Sequence, residues 1–316
     1  THSWPGGPVF REGLLGEPGA QGVQEGLPPE LDGRDRDVHL GGELRGVPLP
    51  QEAPSFQLGT VTYNVGAQMD LPTLLSTCKA AGFGWVELRT THAHKVEPSL
   101  DAATRKEVRQ RIEDSGVKLW GFGSVCEFHS PDPAVVKKHI DDCRAFCELA
   151  RDLGAKGVKV RPNGLPKGVE VPKTLDQIGT ALKECGKIAQ DCGVEIFVEV
   201  HGAGTAQPAH MRTIMDACAH PAVGVCWNSN GEDVKNGSIR EAFDLLKKDL
   251  KSCHINELWS PYPWRELFQC LKSVKYDRVT LMEVAGVPEA APGAKPDAAL
   301  RFMRYYKALW TSLTQA

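Results

Sequence analysis

IFVEVHG, residues Ile196–Gly202, is a run of strand-forming residues that ends in a carboxylate and an imidazole. Side chains alternate along a strand, so Phe197, Glu199 and His201 share one face, with the two polar groups at its carboxyl end. Parallel α/β folds place their chemistry at that end. Taken alone, the stretch fits equally a barrel-lining carboxylate paired with an arginine or lysine. The choice depends on whether other strands end in the same way.

Working outward, the text from Phe56 onward alternates short apolar strands with amphipathic helices. Strands are predicted over Leu58–Asn64, Trp85–Thr90, Lys118–Gly123, Gly157–Pro162, Ile196–Gly202, Val223–Asn228, Ser252–Glu257 and Arg278–Val284. The helices between and after them are predicted over Leu71–Ala81, Ala102–Ser115, Ala134–Leu153, Leu175–Asp191, Pro208–Ala219, Ser238–Lys248, Trp264–Ser273 and Asp297–Leu309. Eight such units are the count that closes a parallel barrel. An open doubly wound sheet stops near six strands and carries a glycine-rich first turn, whereas strand one here runs into TYNVGAQMD. The expected fold is therefore an α/β (β/α)8 TIM barrel over residues 55–316. Residues 1–54, with WPGGP, GEPGAQG and VPLPQEAP, show neither helical nor strand period and read as an irregular amino-terminal arm.

Composition narrows the partners. A net charge of −3 and a pI near 6.4 give no electrostatic footprint for nucleic acid or an anionic membrane. No apolar run reaches the roughly 18 residues that a spanning helix needs. Ten cysteines are many, but they lack zinc spacing and a small-scaffold disulfide pattern, and several fall in predicted helices. They read as buried reduced thiols. The chain begins at Thr1, so a secretory signal removed upstream would leave no trace. Cytoplasmic and exported locations, like the oligomeric state, stay open.

Barrel strands are apolar except at the catalytic mouth, so polar residues at strand ends are the informative ones. They are Asn64; Glu87 and Arg89; Glu127 and His129; Lys159 and Arg161; Glu199 and His201; Asn228 and Asn230; His254, Asn256 and Glu257; and Glu283. On the last four strands they include two carboxylates, an imidazole and an amide oxygen. This mixed O/N set suits Mn²⁺, Mg²⁺, Co²⁺ or Zn²⁺. By pattern alone, a salt-bridged mouth without an ion is an equal rival.

The stretches FVEVH, VCWNSN, CHINEL and LMEV resemble the metal-bearing strand ends of the sugar phosphate isomerase/epimerase family, the xylose-isomerase-like TIM barrels. The resemblance spans roughly Phe56–Leu309. It implies one divalent metal, Mn²⁺ foremost, held by Glu199, Asn228, His254 and Glu283. It also implies that Glu199 and Glu283 work as an acid–base pair on a keto-sugar or polyol derivative through an enediolate. A dehydratase or lyase uses the same enediolate and is not distinguished.

Asn228 departs from the family, which usually has an aspartate there, and Gly231 replaces a frequent histidine. A ligand set whose charge merely neutralises the ion holds it less tightly and leaves it a stronger Lewis acid. A non-catalytic carbohydrate-binding barrel that lost its ion is the other outcome.

Around this set, Lys159 and Arg161 suit hydroxyl or carboxylate recognition, or neutralisation of Glu87 or Glu199. His201 suits a sugar hydroxyl or the orientation of Glu199. Glu257 is expected to accept from a hydroxyl, with a surface loop charge as the rival. Trp259 offers an apolar face to a sugar ring, or packs a loop. Of the histidines after strands two and three, His92 is the one expected to reach the site. A DNA-cutting barrel with several metals would need the strand-six Asp and His and a basic surface.

Overall fold

The structure, a computed structural model, describes residues 54–286 and 298–315. The strands are β1 (Gln57–Val61), β2 (Trp85–Arg89), β3 (Lys118–Glu127), β4 (Gly157–Arg161), β5 (Glu195–Glu199), β6 (Val223–Asn228), β7 (Leu250–Ile255) and β8 (Val279–Met282). The helices are α1 (Leu71–Ala81), α2 (Ala102–Ser115), α3 (Pro133–Leu153), α4 (Val171–Cys192), α5 (Pro208–Cys218), α6 (Arg240–Leu246), α7 (Trp264–Ser273) and α8 (Ala298–Thr314). Each strand pairs in parallel with its neighbour in sequence, and β8 closes on β1 from Gln57↔Val279 to Thr60↔Met282. This is the (β/α)8 TIM barrel that the alternation predicts. The predicted arm, apart from Pro54, lies outside the described residues.

Local chemistry starts and stops the helices. Asp70, Asp101 and Asp132 cap α1, α2 and α3 by accepting from the backbone N–H of Thr73, Thr104 and Ala134. Prolines occupy the first turns of α1, α3, α4 and α5, where a missing N–H costs nothing. At the other end of α3 the chain turns at Gly154, φ +74°, a left-handed conformation that a Cβ would strain.

Two apolar cores follow from strand alternation. Outward-facing residues such as Val86, Leu88, Val158, Val160, Ile196 and Val198 pack beneath the helices. Inward-facing Val61, Trp120, Phe197, Cys226, Val279 and Leu281 form a separate plug inside the barrel. In the plug, Trp120 stacks on Phe197 with centroids 5.3 Å apart, and Trp85 meets Trp120 edge-on at 5.7 Å. At the amino end, Glu195 accepts from Arg278 at 2.6 Å and from Lys251, tying β5, β7 and β8 together. The polar mouth above the plug therefore stands on a filled floor.

Boundaries differ where side-chain pattern and backbone pairing part. β3 continues to Glu127, because its register shifts beyond Gly123 and resumes with Glu127 opposite Arg161. β5 and β8 stop at Glu199 and Met282, so His201 and Glu283 lie just past their strands. Glu283 is nevertheless held in line by its N–H to the Ile255 carbonyl at 3.0 Å. All ten cysteines are free thiols, and only Cys192 is not fully buried. No helix among the described residues is long and apolar enough to cross a membrane.

Candidate active site at the carboxyl end of the barrel

Three strand ends converge. One ligand atom each from Glu199 (β5), His254 (β7) and Glu283 (after β8) lies within 4.8 Å of the others. His254 Nδ1 is 2.9 Å from Glu283 Oε2 and 3.6 Å from Glu199 Oε1. From β6, the Asn228 amide donates to Glu199 Oε1 at 3.4 Å, while its own Oδ1 is buried without a hydrogen-bond partner. A buried carbonyl oxygen left unpaired costs about 1–3 kcal/mol, so this atom has a reason to meet a cation. Three ligand atoms of the O/N type expected for a divalent ion thus face one small volume, with the Asn228 amide beside them, and their chemistry fits such an ion.

The other flank carries opposing charge. Lys159 (β4), 3% exposed, donates through Nζ to Glu199 Oε2 at 2.7 Å. Burial works to raise the Glu199 carboxyl, but the Lys159 ammonium and then His254 outweigh it and hold that carboxyl well below the usual range. Burial likewise works to lower the Lys159 ammonium, and the charges of Glu199, Glu283 and Glu87 keep it above the ordinary lysine value. The pair is ionised, and its attraction fixes the free oxygen of Glu199 toward His254.

Glu87 of β2 completes the cluster. It is fully buried, its Oε2 lies 3.4 Å from His254 Nε2, and its Oε1 has no partner. Carboxylates thus face both ring nitrogens, Glu283 the nearer one at Nδ1, an arrangement that favours the ring with a proton on each nitrogen. Burial depresses the imidazole, and Cys226, Glu283 and Glu87 more than offset it, so His254 sits well above its ordinary value. Glu87 belongs to the site and was not singled out from sequence beyond being polar at a strand end. The packing fixes its face: in WVELR, Trp85 packs inside the barrel, so Glu87 and Arg89 share that inward face.

A cavity of about 260 Å³ opens over the cluster, lined among others by Lys159, Arg161, Glu199, His201, Asn228, Glu257 and Glu283. Tyr63, Arg89 and Asn256 also line it and were not named as site residues from sequence. Arg161 donates to Glu127 at 2.6 Å, and Asn163 donates to the same oxygen. His201 Nδ1 is 2.9 Å from Asn163 Oδ1, and burial lowers the imidazole below its ordinary value, so a neutral ring presents Nε2 to the cavity side. Glu257 accepts from the Ala285 N–H at 2.7 Å and braces the rim.

Two expected residues lie elsewhere. His92 bonds the Thr62 hydroxyl at 3.1 Å and is not among the lining residues. Trp259, 48% exposed, packs edge-on against Phe302 and Tyr306 of α8, at 5.9 and 6.4 Å, rather than lining the cavity. That corresponds to the loop-packing alternative for this side chain. A larger hollow of about 600 Å³ at the amino end, beside Trp85, Trp120 and Lys156, contains Glu195, whose carboxylate is already occupied by Arg278 and Lys251.

The profile of the xylose isomerase-like TIM barrels matches residues 75–306, most of the barrel. The chain belongs to that family. Among solved structures, D-psicose 3-epimerase with D-tagatose from Clostridium cellulolyticum H10 aligns with a TM-score of 0.69 and 15% identity, covering 83% of this chain and 100% of that one. The apo 3-keto-D-glucoside 4-epimerase from E. coli gives 0.65 and 13%, covering 81% and 99%. An IolI protein with a bound zinc atom gives 0.67 and 15%, covering 82% and 98%. At these identities the family likeness is one of fold, and the side-chain geometry must carry the chemistry.

Proposed function

We propose that this protein is a divalent-metal-dependent isomerase or epimerase acting on a keto-sugar or polyol derivative. The observation that carries the reading is the convergence of Glu199, His254 and Glu283 within 4.8 Å beside the unpartnered Asn228 oxygen. These four residues would hold the ion, Mn²⁺ foremost, with Mg²⁺, Co²⁺ or Zn²⁺ as alternatives. When bound, such an ion supplies Lewis acidity toward a carbonyl and the neighbouring hydroxyl.

The protein's own groups then do the proton work. Glu199 ends β5 and Glu283 follows β8, with β6 and β7 between them, so the two carboxylates approach the substrate from different strands. One removes the carbon-bound proton and the other returns one to the enediolate. Lys159 keeps Glu199 ionised and oriented, and Glu87 holds the His254 ring. Arg161, His201 and Glu257 offer donors and acceptors to hydroxyl groups along the cavity. A lyase would proceed from the same enediolate by expelling a β-oxygen.

Glu283→Gln tests the roles. With Mn²⁺ present, exchange of a substrate C–H with deuterated water should fall by about 100-fold or more, on the scale of a lost general base, with the melting temperature retained. Exchange at the wild-type rate would remove Glu283 from the mechanism.

A second reading has its own observation. Lys159 already neutralises Glu199, and His254 already bonds Glu283 at 2.9 Å, so these two carboxylates have partners in a carbohydrate-binding barrel without an ion. Metal content after purification without chelator and soaking in Mn²⁺ separates the two. Near one equivalent supports the enzyme, and about a tenth or less supports the binding module.

A further inference from the structure

The cavity is electrically divided. Its β5, β7 and β8 side presents the carboxylates of Glu199, Glu257 and Glu283, whereas its β2 and β4 side presents Arg89, Lys159 and Arg161. Lys159 is taken by Glu199, but the two arginines are under-used. Among the described residues Arg89 makes no ion pair, and its guanidinium lies over the Tyr63 ring, 4.8 Å from the centroid. A ring face holds a guanidinium flat without consuming its N–H donors. Arg161 gives one amino group to Glu127, while its buried Nε has no partner.

Between Arg89 and Lys159 the intervening strand places no side chain, while its Glu127 stands opposite Arg161. The register runs Arg89↔Gly123 and Gly123↔Lys159, so β3 contributes a residue without a side chain between β2 and β4. Any Cβ at Gly123 would stand 3.0 Å from Glu87 Oε1 and 3.4 Å from Arg89, so the bare strand is what lets Glu87 and Arg89 sit where they do. A cavity wall with two guanidinium groups, each with free donor edges, matches a planar two-oxygen anion.

We infer that the substrate is a sugar acid, whose carboxylate is held by Arg89 and Arg161 while its keto or hydroxyl end lies toward Glu199 and Glu283. This rests on the reading above that the cavity takes a sugar-like substrate, and it adds the charge and the orientation. The volume of about 260 Å³ is at the small end for ligand sites, which suits one monosaccharide-sized acid. The carboxylate supplies oxygens for the buried Arg161 Nε–H and for the Arg89 fork. Arg89 and Arg161 are thereby specificity-determining residues, and the acid–base chemistry is left to the opposite wall.

The test is binding, read by calorimetry on the Mn²⁺-loaded full chain, with 2-keto-D-gluconate, neutral D-fructose and D-fructose 6-phosphate as probes. The acid should bind about 10- to 100-fold more tightly than the neutral sugar, the scale of one or two charge-assisted hydrogen bonds. That preference should shrink in added salt. Arg89→Gln should abolish it. Arg161→Lys keeps a cation for Glu127 but has no Nε donor, and should weaken the acid about tenfold more than it weakens the neutral sugar. Equal affinity for acid and neutral sugar, or a preference for the acid that survives both substitutions, overturns the inference; so does tighter binding of the phosphate. Deuterium exchange is measured on the same samples. Selective acid binding without exchange would refute the isomerase reading and leave this one standing, whereas exchange of the neutral sugar without acid preference would do the reverse.

Discussion

Asn228→Asp restores the charge that strand six usually carries and tests the geometry of the whole cluster. Asn228 donates to Glu199 Oε1 at 3.4 Å, and the two residues are only 7% and 3% exposed. The substitution removes that donor and sets two carboxylates at the same separation. At an effective dielectric constant near 20, charges this far apart repel by about 5 kcal/mol. Proton uptake limits the penalty, because raising one carboxyl from about 4 to neutrality costs about 4 kcal/mol. Lys159, on the other oxygen of Glu199, relieves part of it. The metal-free variant should therefore lose about 2–4 kcal/mol, a melting-temperature drop on the order of 10 °C.

Mn²⁺ should reverse the order. With the extra charge facing the ion, affinity should rise about tenfold or more, which at a fixed saturating concentration adds about 1.4 kcal/mol of ligand-linked stability. Thermal melts with and without Mn²⁺, together with a calorimetric Mn²⁺ titration, read both numbers. A variant that melts with the wild type when metal-free and binds Mn²⁺ no better would refute the placement of residue 228 on the shared volume.

Two further outcomes are expected. Asp233, buried behind β6, accepts from the Tyr262 hydroxyl and the Asn230 N–H, each at 2.9 Å, and burial pushes its carboxyl up to about 7. A carboxyl that titrates higher when folded gives stability that is complete below the unfolded value near 3.8 and is lost as the pH rises to about 7. Asp233→Asn has no such loss. Its stability relative to wild type, from urea unfolding, should grow by about 3–4 kcal/mol between pH 4 and pH 8 and then flatten, and a constant difference would show that Asp233 does not titrate there. Lys159→Met strands Glu199 as an uncompensated buried charge and should cost about 3–5 kcal/mol, much of it recovered with Mn²⁺. A loss below about 1 kcal/mol would mean that the pair of Lys159 and Glu199 is not formed in solution.

The barrel was legible because its signals are local and repeated. Each strand reads as a short apolar run, the first four helices each stop at a glycine, and eight repetitions leave few closures available. Glu199, His254 and Glu283 were legible for a related reason, since period-two alternation projects each to the mouth at or just past the carboxyl end of its strand. Arg89 and Glu87 were harder. A charged residue in the middle of a strand has the same spelling whether it pairs outward or lines a cavity, and only the packing of Trp85 against Trp120 decides the face of β2. Trp259 and His92 stood on loops, where no periodicity fixes direction. Trp259 found Phe302 and Tyr306 of a helix more than forty residues away in sequence, and no local pattern reports such a contact.

The same cluster alters the meaning of Asn228. Counted along the sequence, the site had lost a negative charge on β6, and the two remaining carboxylates merely matched a divalent ion. In the folded barrel a third buried carboxylate, Glu87, approaches His254 from β2, and a buried ammonium, Lys159, faces Glu199 from β4. With the His254 ring neutral, as a ligand must be, three carboxylates against one ammonium again leave two negative charges, the number that a divalent cation neutralises. An aspartate on β6 would add a fourth carboxylate to a volume already crowded with like charge, where each buried anion needs a compensating partner. The amide instead gives Glu199 a hydrogen bond and adds no charge. Residue 228 is thus better understood with β2 and β4 than against the family's habit at that position: the charge has been redistributed around the barrel, and a variant that removes Glu87 or Lys159 should disturb metal affinity at least as much as one that alters Asn228.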